Sequence, residues 1–153
     1  MNELPKCGIY RTSKPVQKVA KNQLVYFHNH GDPGPGLYLP THWKNNQAQF
    51  APKGMPLQDL NEVHTLKPLM AQGLYRVERE FYCCSQNCVH FHPNQLVQLG
   101  YTPQAQPILF FPFWDDAELR FPNKGTRIDA ENFQHLRRLL LPTESSKAST
   151  VLH

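Results

Sequence analysis

The sequence predicts a mainly β (α+β) protein made of two copies of one small unit. Each unit is expected to be a β-barrel or sandwich of about four strands, followed by one short helix. Three observations indicate this: an internal repeat, prolines scattered along the chain, and an apolar stripe near the end of each half. Prolines at segment ends favour short strands joined by turns, because proline disrupts helix interiors and central strands.

The internal repeat is the clearest feature of the chain. Trp43 to His64 aligns with Trp114 to His135 without a gap over 22 positions. The identical pairs in this alignment are Trp43/Trp114, Phe50/Phe121, Lys53/Lys124, Gly54/Gly125, Asn61/Asn132 and His64/His135. Two shorter blocks, Gly-x-Tyr-Arg and Asn-Gln-Leu-Val, precede it in the same order in both halves. Residues 8–66 are therefore expected to superpose on residues 73–140.

The repeat divides the chain into 1–70, 71–143 and a polar, flexible tail over 144–153. A half of about 65 residues is marginal alone, so the two units are expected to share a core. The apolar stripe from Leu57 to Leu66 predicts a helix near 57–66. Asp129 as a helix cap predicts a second helix near 129–141. Trp114 and Phe121 are expected to be buried against that second helix, on Phe133 or Leu136.

Charge and hydropathy narrow the expected partners. The formal charge is +4, and the surplus lies in residues 1–21. An anionic partner such as nucleic acid would fit, but a solvated edge fits equally well and no base-reading motif accompanies the basic residues. Nucleic acid is therefore not the favoured partner. A signal-like start and an apolar run of membrane-spanning length are both missing, so a cytoplasmic location without membrane contact is expected.

The densest group of metal-ligand residue types lies between Cys83 and His92. On an extended strand Cys88, His90 and His92 share a face, and a turn would bring Cys84 back towards Cys88. Thiolates and imidazoles are the ligands of zinc, so these four residues form a candidate metal site. The spacing differs from that of zinc fingers, and the cysteines fit equally well as small buried apolar residues. Zinc is thus the alternative to an expectation of no cofactor.

The loop from His28 to Gly36 is the predicted contact site. Its prolines restrict the backbone, and its glycines allow close approach of a ligand or partner. Residues 100–106 replace this loop in the second half without any histidine, so building the unit does not require it. The candidate binding residues are His28, His30, Asp32 and Tyr38.

No nucleophile, base and orienting group come together in the sequence, so an enzyme is not favoured. His64 and His135, which the alignment pairs, are interpreted as packing residues, with an acid–base pair as the alternative. The favoured function is a non-catalytic binding or interaction protein whose partner is another protein or a small molecule. The alternative is a zinc-type protein that uses the cluster at 83–92.

Overall fold

The computed structural model describes residues 3–31 and 34–140. The described residues are mainly β, as predicted, with 43% strand and 9% helix. The first half contains β1 (Gly8–Thr12), β2 (Leu24–His28), β3 (Gly36–Tyr38), β4 (Pro40–Lys44), β5 (Gln47–Phe50), β6 (Met55–Pro56), the 3-10 helix η1 (Leu60–Thr65) and β7 (Leu66–Pro68). The second half contains β8 (Gly73–Val77), β9 (Phe81–Tyr82), β10 (His90–Phe91), β11 (Leu96–Tyr101), β12 (Pro107–Phe110), β13 (Phe113–Asp115), β14 (Glu118–Arg120), β15 (Thr126–Arg127), the 3-10 helix η2 (Ala130–His135) and β16 (Leu136–Arg138).

Each half forms one antiparallel sheet of five strands, and the two sheets have corresponding strand orders. The first order is β6-β3-β2-β1-β7 and the second is β15-β12-β11-β8-β16. A two-stranded hairpin, β4–β5 or β13–β14, lies between the third and fourth strands of each sheet along the chain. The registers correspond as well: Gly8 pairs with Phe27 in one sheet and Gly73 pairs with Leu99 in the other. β9 and β10 form an extra hairpin in the second half.

The short sequence blocks make the same bonds in both sheets. The Arg11 guanidinium donates to Asn22 Oδ1 at 2.9 Å, and Arg76 donates to Asn94 Oδ1 at 2.9 Å. Both asparagines have positive φ, 63° and 71°, which asparagine tolerates better than most residues. The arginine of one block therefore holds the turn residue of the other block in place.

Two finer details of the predicted architecture are wrong. Within the described ranges each five-stranded sheet ends in two separate edge strands, so neither sheet closes into a barrel. The helices predicted near 57–66 and 129–141 are only six-residue 3-10 turns, each followed directly by a strand. The reason is pairing: Leu136 to Arg138 bond to β8, and Leu66 to Pro68 bond to β1. In these two segments, backbone hydrogen bonds to a neighbouring strand replace the backbone hydrogen bonds that would continue a helix.

The structure also shifts the alignment at its end by one residue. Asp59 and Asp129 both occupy the N-cap position of a 3-10 helix, although only the Asp59 side chain accepts a capping hydrogen bond, and Leu66 and Leu136 both begin the last strand. His64 therefore corresponds to Gln134 and not to His135. His64 is exposed, whereas His135 is half-buried and stacks on Phe81 with the ring centroids 5.6 Å apart. The two histidines are not a symmetric pair.

The hairpin β4–β5 joins the two halves. The Trp43 Nε1 donates to the Tyr101 carbonyl at 2.9 Å, and the Ala48 amide donates to Gln72 Oε1 at 2.7 Å. Ala48 is buried in a cluster made mainly of second-half residues. Trp114, which aligns with Trp43, was predicted to be buried, but 74% of its surface is exposed. That prediction is wrong because β13–β14 has no neighbouring unit to pack against among the described residues.

Candidate functional site

The predicted loop lies beside Cys7, a residue that the sequence did not single out. His28 is the last residue of β2, and Cys7 immediately precedes β1. Because Gly8 pairs with Phe27 in antiparallel register, the next residues outward, Cys7 and His28, face each other at the sheet end. His30 follows two residues later on the same side.

Three ligand atoms converge here. Cys7 Sγ lies 3.5 Å from His28 Nδ1 and 3.8 Å from His30 Nδ1. The two imidazole rings contact each other, with centroids 4.0 Å apart. Within the described ranges, 3–31 and 34–140, this is the group of three metal-ligating side chains whose ligand atoms all lie within 4.8 Å of one another. Cys7 and His28 are half-buried and His30 is exposed, so the group is open to solvent on one side.

Asn29 holds the three side chains in place. Its backbone amide donates to Cys7 Sγ at 3.3 Å, and its side-chain amide donates to the Pro5 carbonyl at 3.1 Å. Its Oδ1 atom lies 2.7 Å from His30 Nδ1 and accepts from the Cys7 thiol at 3.2 Å. The segment before β1 and the loop after β2 are thereby tied together, which orients the sulfur and the imidazoles.

The donor set suits a borderline-soft divalent metal. Zinc binds cysteine thiolate and histidine nitrogen, and three protein ligands leave one tetrahedral position for water or another ligand. Cys7 was not predicted from the sequence, because its contact with His28 depends on strand pairing across 21 residues. Antiparallel pairing of the Gly-x-Tyr-Arg block with the Asn-Gln-Leu-Val block places Cys7 opposite His28, and this pairing is the signal that could have identified it. The fourth predicted loop residue, Asp32, lies outside the described residues.

Tyr38, the remaining predicted contact residue, lines an apolar groove next to this group. It pairs with Tyr26 across β3 and β2, and the rings meet edge to face at 6.2 Å. Tyr26, His28, Tyr38, Phe50 and Ala51 line the groove, whose volume is about 310 Å³. The His28 ring therefore borders both the groove and the three-ligand group.

The predicted metal residues of the second half lie apart from this site and form two pairs. Cys84 and Cys88 lie in the turn between β9 and β10, close enough for their side chains to interact. His90 and His92 contact each other with ring centroids at 4.1 Å. His90 Nε2 also lies 3.2 Å from the Glu80 carboxylate. In the described part of the chain these four residues do not form a group within 4.8 Å.

The cysteines of that turn differ in their acidity. A hydrogen bond from the Gln86 backbone amide, and a second from the Cys83 thiol, lower the pKa of Cys84. The negative charge of a Cys84 thiolate raises the pKa of Cys88. All four cysteines are free thiols. Cys84 is therefore the thiol of this turn that ionises first.

Comparison with protein-family models, with curated proteins and with solved structures found no match to this chain. In the described residues, both helices are far too short to cross a bilayer.

Proposed function

We propose that this chain is a non-catalytic binding protein whose contact site is a zinc-type metal ion held by Cys7, His28 and His30. The observation that carries the proposal is the convergence of one sulfur and two imidazole nitrogens within 4.8 Å. Two of these ligands come from the loop that the sequence marks as dispensable for building the unit. The open coordination position would bind the donor atom of a protein or small-molecule partner.

The spacing of the ligand atoms supports metal binding, which would replace the hydrogen bonds of the Cys7 thiol and His30 Nδ1 to Asn29 Oδ1. Zinc–sulfur and zinc–nitrogen bonds are about 2.3 and 2.0–2.1 Å long, so ligand atoms of one tetrahedron lie about 3.3–3.8 Å apart. The Cys7–His28 and Cys7–His30 distances, 3.5 and 3.8 Å, fall in this range. Among the described residues no carboxylate joins the group.

The proposal includes a duplicated architecture. Corresponding strand orders, equal registers and the repeated arginine–asparagine bond support descent of the two halves from one unit. The metal group then belongs to the first copy only. Gln72 precedes β8 as Cys7 precedes β1, and its side chain makes hydrogen bonds to the backbone of Ala48. The first unit has acquired a ligand set where the second unit makes a packing contact.

The test is zinc content and its dependence on single side chains. Protein purified under reducing conditions, loaded with zinc and desalted is expected to keep stoichiometric metal. Cys7→Ser and the double change His28→Ala with His30→Ala are expected to lose it. Cys88→Ser, an exposed thiol of the other cluster, is the matched control and keeps the metal.

Cobalt substitution gives a second measurement. A thiolate-to-cobalt charge-transfer band is expected in the wild type and in Cys88→Ser, and it disappears in Cys7→Ser. Metal loss in Cys88→Ser but not in Cys7→Ser would move the site to the cluster at 83–92. The absence of bound metal in the wild type would overturn the proposal, and unchanged thermal unfolding of metal-free Cys7→Ser would show that the variant is folded.

A further inference from the structure

The two hairpins between the strands of each sheet have the same geometry but different surroundings. In β4–β5, Trp43 pairs with Ala48, and in β13–β14, Trp114 pairs with Leu119 at the corresponding position. Both turns have two consecutive residues with positive φ: 52° and 67° at Asn45–Asn46, and 54° and 66° at Asp116–Ala117. The first hairpin packs on the second sheet. The second hairpin exposes 48% of Phe113, 74% of Trp114 and 38% of Leu119.

The surface that receives the first hairpin is defined by its hydrogen bonds. Asn46 Nδ2 donates to Gln98 Oε1 at 3.0 Å and to the Pro122 carbonyl at 2.9 Å. Gln98 Nε2 donates to the Asn45 carbonyl at 2.9 Å. A side chain at Gly100 would overlap the Asn46 carbonyl oxygen, which shows how closely the turn approaches β11. Phe110 and Phe121 border the turn residues Asn45 and Asn46 around one cavity. The receiving surface is thus formed by Gln98, Gly100, Phe110, Phe121 and Pro122.

The first sheet has an equivalent surface with no hairpin on it among the described residues. Strand register and the repeat alignment assign the same five positions to Tyr26, His28, Tyr38, Phe50 and Ala51. These five residues line the groove of about 310 Å³. The molecule therefore carries both parts of one interface, an unfilled receiving surface on the first unit and an unpacked hairpin on the second.

We infer that the hairpin β13–β14 of a second copy of this chain docks in the aromatic groove of the first unit. The expected contact copies one within the chain, where the hairpin β4–β5 of the first unit packs on the receiving surface of the second unit. Exposed apolar clusters of this kind mark interaction sites. The contact is heterologous, because it joins different surfaces of the two copies, and it generates a ring or a linear chain of subunits.

The chemistry of the two parts is matched. The docked hairpin is polar at its tip and meets a polar amide, Gln98. The free hairpin presents Phe113, Trp114 and Leu119, and the groove offers the rings of Tyr26, Tyr38 and Phe50. His28 occupies the Gly100 position, so the second copy's turn is held further from β2 than Asn46 is from β11. Stacked and edge-to-face aromatic contacts thus replace the amide bonds of the internal interface.

The test is a mixing experiment by sedimentation velocity, with chelator and again with zinc. The weight-average mass of the wild type is expected to rise with concentration in both conditions. Trp114→Ser removes the hairpin's largest exposed side chain, and Ala51→Glu places a charge in the groove; each variant alone is expected to stay monomeric. Because each retains the part that the other lacks, an equimolar mixture is expected to form a dimer that grows no further. Leu60→Ser, which alters a leucine that is 47% exposed outside the hairpin, is the matched control and associates like the wild type.

Three results would overturn the inference. A wild type that remains monomeric over the whole concentration range would show that the hairpin does not dock. Dimerisation of Ala51→Glu alone would show that hairpin pairs with hairpin. Association that requires zinc and is lost in Cys7→Ser would show a metal bridge between copies, which would support the proposed metal site while removing the docking contact.

Discussion

Substitution of Gly100 by alanine is expected to detach the hairpin β4–β5 from the second sheet. The added methyl group would overlap the Asn46 carbonyl oxygen and lie 3.4 Å from Phe110 Cε1. The hairpin must move away, which weakens its bonds to Gln98, Leu99 and Tyr101. Each such bond contributes about 0.5–1.5 kcal/mol net, and overpacking typically costs about 1–3 kcal/mol. Because movement of the hairpin relieves the overlap at the expense of part of these bonds, the free energy of unfolding is expected to fall by about 2–3 kcal/mol.

The two tryptophans allow the movement to be observed directly. In a Trp114→Phe background, the remaining indole of Trp43 reports only on the docked hairpin. Its emission is expected to shift to longer wavelength in Gly100→Ala, because the half-buried ring becomes exposed. Urea unfolding followed by circular dichroism gives the stability change independently. Trp114→Phe alone is the control and changes stability little, because that ring is 74% exposed.

A double-mutant cycle identifies the contact responsible. Trp43→Phe removes the bond to the Tyr101 carbonyl and is expected to cost about 1 kcal/mol in the wild type. In the Gly100→Ala background it should cost much less, because the hairpin is already displaced. Additive costs with an unshifted Trp43 emission spectrum would refute the docking geometry.

Three further predictions concern single side chains. Cys84 is expected to reach its half-maximal alkylation rate at a lower pH than Cys88, because its thiol pKa is lowered while that of Cys88 is raised. Peptide mass spectrometry across a pH series measures both rates, and a reversed order would contradict the arrangement of the turn. His135→Phe is expected to raise the free energy of unfolding by about 1 kcal/mol, because the buried Nδ1 atom has no hydrogen-bond partner among the described residues. The phenyl ring can still stack on Phe81. Urea unfolding measures the change, and destabilisation would reveal a partner for that nitrogen. Trp114→Ser is expected to change monomer stability by less than about 0.5 kcal/mol, which thermal unfolding at low concentration checks.

The mainly β character of the chain was accessible from the sequence, because turn residues and strand-forming segments are local signals, whereas the order of the strands in each sheet was not predicted. The turn residues Asn22 and Asn94 precede β2 and β11, and both of these strands are largely buried. The helix prediction failed on a detail of spacing. Leu57, Leu60, Val63 and Leu66 recur every three residues, which is the period of a 3-10 helix and not of an α-helix.

What the sequence did not reveal depends on long-range neighbours. Trp43 and Trp114 are identical in the alignment, yet one is half-buried and the other exposed, because burial is decided by whether another unit lies beside the hairpin. Cys7 joins His28 only through the register of two strands. An alignment compares residues within each unit and carries no information about contacts between units.

Each sheet places its first and last strands side by side, β1 with β7 and β8 with β16. A segment whose ends meet in this way can be linked end to end with another of its kind without rethreading either one. Four residues, 69–72, already make such a link between β7 and β8. A further unit can therefore be fused after β16 by protein engineering. Its sheet would cover Trp114 within the same molecule, as the second sheet covers Trp43. The last unit of such a three-unit chain would expose its own hairpin in turn, so each added unit would move the uncovered hairpin one module along the array, as in repeat proteins built from stacked modules.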